Sequence, residues 1–235
     1  MAQTVTEDLL QAPGAYEPVP SVADAVSRAR AAAAGWRALS PARRARHVLG
    51  ARQALMRRMN EVVDTMVFET GKLRTEAVVN EILVACELIT WYARHAPRLL
   101  APGKVAPGIL VHKRAERRYE PLGVVAVISP WNYPLVLSLG PVATALFAGN
   151  TVVLKPSELT PRTGALVGEL FSGLGDHPDI VQVVTGARRE GDALVRAGVD
   201  KVCFTGSVAT GTAVMRAAAQ TRTPVVLELG GKDPM

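Results

Sequence analysis

A chain of 235 residues that is 49% hydrophobic and 20% charged has enough apolar material for one sizeable core with a smaller attached lobe, which excludes a disordered or fibrous polymer. The net charge of +6 falls largely on amphipathic helical patterns (Arg43, Arg44 and Arg46, then Arg57 and Arg58), so solvated helix faces account for it and no nucleic-acid partner is expected. Two cysteines are too few for a disulfide framework, Glu7 and Asp8 stand where a secretory leader would be basic, and no run of 18 uncharged apolar residues occurs, which together point to a reducing compartment, the cytoplasm, and to no membrane segment.

Pro13, Pro18 and Pro20 lie among scattered polar residues before about Ser21, a composition that reads as an extended segment. Helical spacing starts at Ser21-Val22-Ala23-Asp24, with Val22, Val26, Ala29, Ala33 and Trp36 on one face. Ser40-Pro41 opens a second helix with a good cap and a proline in its first turn, carrying Ala45, Val48, Leu49, Leu55, Met56 and Met59 on one side. A third helical stretch, separate from it or continuous with it, ends near Gly71. From Thr75 a long helical pattern through Val79, Ile82, Leu83, Cys86, Ile89 and Tyr92 is expected to stop before Pro97. Pro102, Gly103, Pro107 and Gly108 then mark a break, and Leu110 to Glu120 mixes apolar positions with dense charge, as an exposed strand would.

From Leu122 the texture changes. Short aliphatic runs at 122–128, 151–155, 180–184, 201–204 and 224–229 alternate with helical patterns at 135–147, 161–174, 190–197 and 208–219. Runs without polar alternation imply strands covered on both faces, and strand–helix alternation at this spacing implies crossovers in a parallel sheet. The fold class is therefore α/β, a doubly wound parallel sheet behind a helical N-terminal region.

Ligands of such sheets bind beyond the carboxyl ends of the strands, where the distinctive segments lie. Pro130-Trp131-Asn132-Tyr133-Pro134 pins a short turn between two prolines and so fixes where Asn132 points; a side-chain amide held that way suits an oxyanion donor or simply satisfies its own turn. Lys155-Pro156-Ser157-Glu158 sets a donor and an acceptor at one strand end, matched to ribose hydroxyls or to a solvent ion pair. The usual GxGxxG fingerprint is missing. In its place stands Thr205-Gly206-Ser207-Val208-Ala209-Thr210-Gly211, which reads as a phosphate turn at a helix N-terminus or as a plain capped turn. Glu228 ends the last apolar run just before Gly230 and Gly231, where a carboxylate can serve as general base or as a structural acceptor. Cys203 and Cys86 sit inside predicted elements, Cys203 with no histidine or cationic partner expected nearby, and the four histidines (His47, His95, His112, His177) lack metal-ligand spacing. No metal is expected.

Taken together, Pro130 to Pro134, Lys155 to Glu158, Phe204 to Ser207 and the closing Glu228-Leu229-Gly230-Gly231-Lys232 resemble the front part of an NAD(P)-dependent aldehyde dehydrogenase. The resemblance runs in order and spacing from about residue 120 to the end. It implies a Rossmann-like cofactor core over 121–235, with 1–102 supplying an extended segment and helices of the same domain and 103–120 an oligomerisation arm. It also implies that the nucleophilic cysteine and the catalytic domain lie beyond this chain, so that these residues alone would not turn over. By the same resemblance Asn132 steadies the oxyanion and Glu228 activates water. Pro130 and Trp131 line the cofactor cleft, Lys155, Ser157 and Glu158 meet the adenosine ribose, Thr205, Gly206, Ser207 and Gly211 meet the phosphates, and Leu229 touches the nicotinamide. NAD or NADP is the implied cofactor, and a carboxylate at Glu158 favours NAD weakly. The implied substrate is a small-molecule aldehyde, with a homo-oligomer for the full-length enzyme; the turn at 128–134 and the arm are somewhat similar to bacterial succinate-semialdehyde dehydrogenases. The competing readings are a non-catalytic truncated nucleotide-binding or interaction protein and an acylating reductase, against which Glu228 argues.

Overall fold

A computed structural model describes residues 20–173 and 176–231. The extended segment expected before Ser21 lies mostly outside them, as does the end of the closing motif, Lys232 included.

Each early helix is set by its cap. The Ser21 hydroxyl accepts the Asp24 N–H at 3.1 Å to start α1 (Val22–Ala38), and the Ser40 hydroxyl accepts the Arg43 N–H at 3.3 Å to start α2 (Pro41–Arg57), whose leading proline has no N–H to leave orphaned. α3 (Met59–Thr70) follows after Arg58 departs from helical geometry, and it ends at Gly71, whose φ of 71° is the left-handed conformation that glycine adopts without strain.

Beyond Leu73 the chain is helical in three registers: a single turn at Arg74–Glu76, a π-helical segment at Ala77–Leu83, and α4 (Val84–Leu99). The wider π turn rotates the helix face, so Glu81 and Ile82 both point inward, whereas Val79 and Leu83, expected on the buried face, are exposed. The expected stop before Pro97 is also corrected. Pro97 falls in the last turn, where the helix loses one bond only, and the Leu100 N–H still reaches the Ala96 carbonyl at 2.9 Å.

The arm is shorter than its sequence suggested. β1 (Gly103–Val105) pairs antiparallel with β2 (Ala115–Arg117), while residues between them turn, with the Lys113 N–H on the Leu110 carbonyl at 2.8 Å. Gly103, read as part of a break, is thus the start of the partner strand.

Five strands make the main sheet: β3 (Val124–Ile128), β4 (Thr151–Lys155), β5 (Val181–Val183), β6 (Lys201–Gly206) and β7 (Val225–Leu229), in the order β5-β4-β3-β6-β7 and parallel throughout. Alternate residues of β3 feed two cores. Val125 and Val127 join Trp36, Leu146, Phe147, Leu170 and Phe171 against α2 to α4, α5 (Val136–Phe147) and α6 (Pro161–Ser172). Val124, Ala126 and Ile128 join Ala29, Leu194 and Val214 against α1, α7 (Arg188–Arg196) and α8 (Val208–Thr221). Each fully buried Leu, Ile or Phe side chain in these clusters stabilises the fold by about 1.5–3 kcal/mol. Full two-sided cover holds for β3 and β4 but not for β7, where Val226 and Leu229 are each 39% exposed. Among the described residues β7 is one of the two edge strands, and α8 covers only its Val225 and Leu227 face.

One basic residue departs from the solvated-face expectation. Arg44 is buried and donates to the Phe147 carbonyl at 3.2 Å and the Leu39 carbonyl at 2.5 Å, tying α2 to the end of α5. Its neighbours Arg43 and Arg46 remain exposed.

Candidate functional site

The chain enters the sheet at its centre. β3 is followed by β4 and β5 on one side and by β6 and β7 on the other, which places the reversal of strand order between the carboxyl ends of β3 and β6, where an open parallel sheet forms a crevice. Ile128 stands in register with both Lys155 and Phe204, so the residues after these three strands emerge side by side. A cavity of about 920 Å³ opens there between the sheet edge, α7 and α8. Of the residues singled out from sequence, Pro130, Lys155, Ser157, Glu158, Thr205, Gly206 and Ser207 line it.

Two features give the cleft its chemistry. Lys155 is only 5% exposed; burial pushes its pKa down, while Glu158, whose carboxylate lies 3.6 Å from the ammonium, pulls in the opposite direction. The pair expected to grip a diol from two sides is therefore already joined across the cleft floor, with Glu158 facing solvent. Ser207 caps α8, its hydroxyl accepting the Thr210 N–H at 3.2 Å, and behind it Ala209, Ala213 and Ala217 keep the helix wall low. A helix N-terminus with small side chains around it offers unpaired N–H groups and a favourable field to an anion.

Position of the Lys155 turn is fixed from below. A Cβ on Gly164, in the first turns of α6, would lie 2.2 Å from Cγ of the Pro156 ring, so only glycine lets the helix pass that close.

The remaining sequence candidates sit elsewhere. Gly211 and Leu229 are behind the cleft wall: a Cβ at Gly211 would meet Leu229 Cδ2 at 2.4 Å, so this glycine lets α8 rest on β7. Trp131 and Asn132 are exposed at the end of β3 and do not line the cavity. Glu228, paired in register with Thr205, alternates to the sheet face away from α8, the same face as Val226. It is exposed, so the described residues do not form a dry setting around it. The cleft and the Glu228 carboxylate thus occupy opposite faces of the sheet.

Sequence reasoning passed over two residues at this edge. The Lys72 ammonium is ion-paired with the Glu81 carboxylate and donates to the Asn132 carbonyl at 2.9 Å; Glu81 Oε2 in turn accepts the Leu135 N–H at 2.7 Å. Glu81 lay off the apolar period expected for that helix, and only the π turn brings it inside. The one signal was chemical: a lysine directly after the helix-ending Gly71.

Both thiols are poor nucleophiles. The expectation of no cation near Cys203 is corrected, since Lys201 is close enough to act on it; burial nevertheless raises the pKa of Cys86 and of Cys203, outweighing Arg52 and Lys201.

The donor set fits a dinucleotide. The volume is at the upper end of the ~300–1,000 Å³ usual for small-molecule sites, the helix N-terminus and Ser207 suit a pyrophosphate, and Lys155 with Glu158 suits a ribose diol.

Known proteins share this fold. The model of the aldehyde dehydrogenase family matches residues 11–235. A 4,4'-diapolycopene aldehyde oxidase from Methylomonas sp is 44% identical over 213 residues, covering 89% of this chain and 40% of that protein. Among solved structures, an aldehyde dehydrogenase of Mycobacterium tuberculosis complexed with NAD+ superposes with a TM-score of 0.84 at 32% identity, over 92% of this chain and 45% of its own. An NADP-dependent enzyme of E. coli does so with a TM-score of 0.84 at 31% identity, over 91% and 45%. The chain thus spans about 40% of the length of the first curated relative it matches. It belongs to the aldehyde dehydrogenase family.

Proposed function

We propose that these residues form the cofactor-binding half of an aldehyde dehydrogenase that oxidises an aldehyde to a carboxylate with NAD+, through a thioester on a cysteine outside residues 1–235. The observation that carries this reading is the cleft at the strand-order reversal, with Lys155, Ser157, Glu158, Gly206 and Ser207 around it. The shared length with relatives, and thiols whose pKa is raised by burial at Cys86 and by partial burial at Cys203, support a nucleophile from elsewhere.

In this reading Ser207 and the first amides of α8 receive the pyrophosphate, with Thr205 and Gly206 forming the turn beneath it. Lys155 donates to the adenosine ribose and Glu158 accepts from it, with Ser157 alongside. A carboxylate at Glu158 repels a 2'-phosphate, which favours NAD over NADP. The nicotinamide, when bound, would supply the hydride acceptor for the substrate carbon; Pro130 would flank it in the cleft, with Trp131 outside the cavity at the end of β3 and Leu229 behind the α8 wall. The Asn132 amide donates to the substrate oxygen as negative charge develops there, and Glu228 takes a proton from the water that cleaves the thioester. The ribbon of β1 and β2, which stands off the main sheet, would pair with another subunit, and the cytoplasm suits a chain with free thiols.

Titration of the 235-residue chain with NADH, followed by cofactor fluorescence, tests the cleft: saturable binding displaced by NAD+, with NADPH weaker, is expected, and absence of binding would overturn the reading. For the chemistry, residues 1–231 completed with the C-terminal part of the Methylomonas relative are assayed for NADH formation on a panel of aldehydes that includes succinate semialdehyde. The chimaera turns over, and N132A and E228Q each lower kcat about 10²–10³-fold. Undiminished turnover in either variant removes that residue's assigned role.

A further inference from the structure

The proposed chemistry gives the Glu81 carboxylate nothing to do, although it is fully buried. Burying a charge is costly unless it is paired and hydrogen-bonded. Glu81 is both, and all of its bonds lead to one turn. Its Oε2 accepts the N–H of Leu135 at 2.7 Å and of Val136 at 3.3 Å, the donors that open α5 directly after Pro134. Its Oε1 holds the Lys72 ammonium. Lys72, with a side chain only 6% exposed, donates onward to the Asn132 carbonyl at 2.9 Å and lies 4.6 Å over the Tyr133 ring.

One ion pair therefore grips the turn on both sides of Pro134, by carbonyl, ring and two amides. No local side chain caps α5; the cap comes from a residue 54 positions earlier in sequence. Capping alone needs an acceptor but no lysine, and an apolar pair of similar volume generally matches a buried ion pair in stability. The lysine adds a fixed direction for the Asn132 peptide. Both charged groups reach the turn because Gly71 ends α3 just before Lys72 and because the π turn aims Glu81 inward.

We propose that Lys72 and Glu81 are positioning residues whose ion pair sets the orientation of the Asn132 side chain, and so act on the reaction through Asn132. The proposal rests on the oxyanion role given to Asn132 above. Two-dimensional NMR of the intact 235-residue chain tests it through the Asn132 side-chain amide signals and the exchange rates of the Leu135 and Val136 amides. In K72M/E81L, which replaces the pair by apolar groups, the Asn132 side-chain signals shift from their wild-type positions and those two amides exchange about tenfold faster, as expected for loss of a hydrogen bond to a charged group. Amides of β3 keep their rates, and K72R restores the wild-type pattern. Should the double variant not fold, E81Q, which keeps an acceptor for the two amides but no charge for Lys72, is read through the Asn132 side-chain signals alone. Unchanged Asn132 signals and unchanged exchange in a folded variant would overturn the proposal. NADH binding by the wild-type chain is measured in parallel: its absence would remove the catalytic reading of the turn, while the NMR result would still decide whether the pair holds it.

Discussion

Replacing Gly164 by alanine sets two opposed effects against each other. In a helix interior alanine is favoured over glycine by about 0.8–1.0 kcal/mol, so an unobstructed G164A would stabilise the protein. The new Cβ, however, would lie 2.2 and 2.4 Å from Cγ and Cβ of Pro156, and a proline ring cannot rotate away as a flexible side chain can. Overpacking of this kind costs about 1–3 kcal/mol, with so close a contact belonging at the upper end. The net expectation is a loss of about 2 kcal/mol, or about 4–8 °C in Tm for a chain of this size. Relief of the clash shifts the turn that carries Lys155, Ser157 and Glu158, so NADH binding should weaken as well. Thermal unfolding and NADH titration of the variant check both parts. A rise in Tm with unchanged affinity would refute the reasoning, because it would mean that α6 does not fix the turn.

Asp200 accepts the Val124 N–H at 2.7 Å and pairs with Arg30 at 3.0 Å, so D200A should cost about 1–3 kcal/mol by leaving a partly buried donor unmet at the head of the central strand; a Tm within a degree of wild type would contradict this. Lys155, whose pKa is held below its ordinary value of 10.5 by burial, binds its proton less tightly folded than unfolded. Across the window below 10.5 the unfolded chain therefore carries more protons, and stability rises with pH there; K155M should abolish that rise in urea titrations, and an identical slope in wild type and variant would count against it. Exchanging Glu158 for glutamine should narrow the gap between NADH and NADPH affinities, and an unaltered ratio would remove Glu158 as the discriminating group. The exposed outer face of β7 should make the chain self-associate, with V226K lowering light scattering at equal concentration; no change would show that the edge is not the contact.

The sheet was legible because its strands are short apolar runs bounded by turn residues, and β3 and β4 match their expected limits closely. The caps at Ser21, Ser40 and Ser207 were legible for a similar reason: the hydroxyl sits three residues before the N–H it accepts. What could not be read was how the long helix turns. Val79 and Leu83 fit a regular period, but a π segment obeys another, and tertiary demand for Glu81 at the turn after β3 decided the matter. Arg44 shows the same limit, since nothing in its local pattern separates it from the solvated Arg43 and Arg46; the carbonyls of Phe147 and Leu39 make its burial tolerable. The ligand-end residues emerged at one sheet edge as their sequence context suggested, yet the alternation of β7 sends Glu228 to one face and Leu229 to the other. That division depends on register with β6, which a single strand does not encode.

In the proposed function the loops after β3, β4 and β6 hold one adenine dinucleotide between α7 and α8. A crystal structure of the chain soaked with NAD+ measures this most directly. The pyrophosphate is expected against Gly206 and Ser207 and the adenosine ribose between Lys155 and Glu158. Density for the dinucleotide at any other place, with that cleft filled only by solvent, would contradict it.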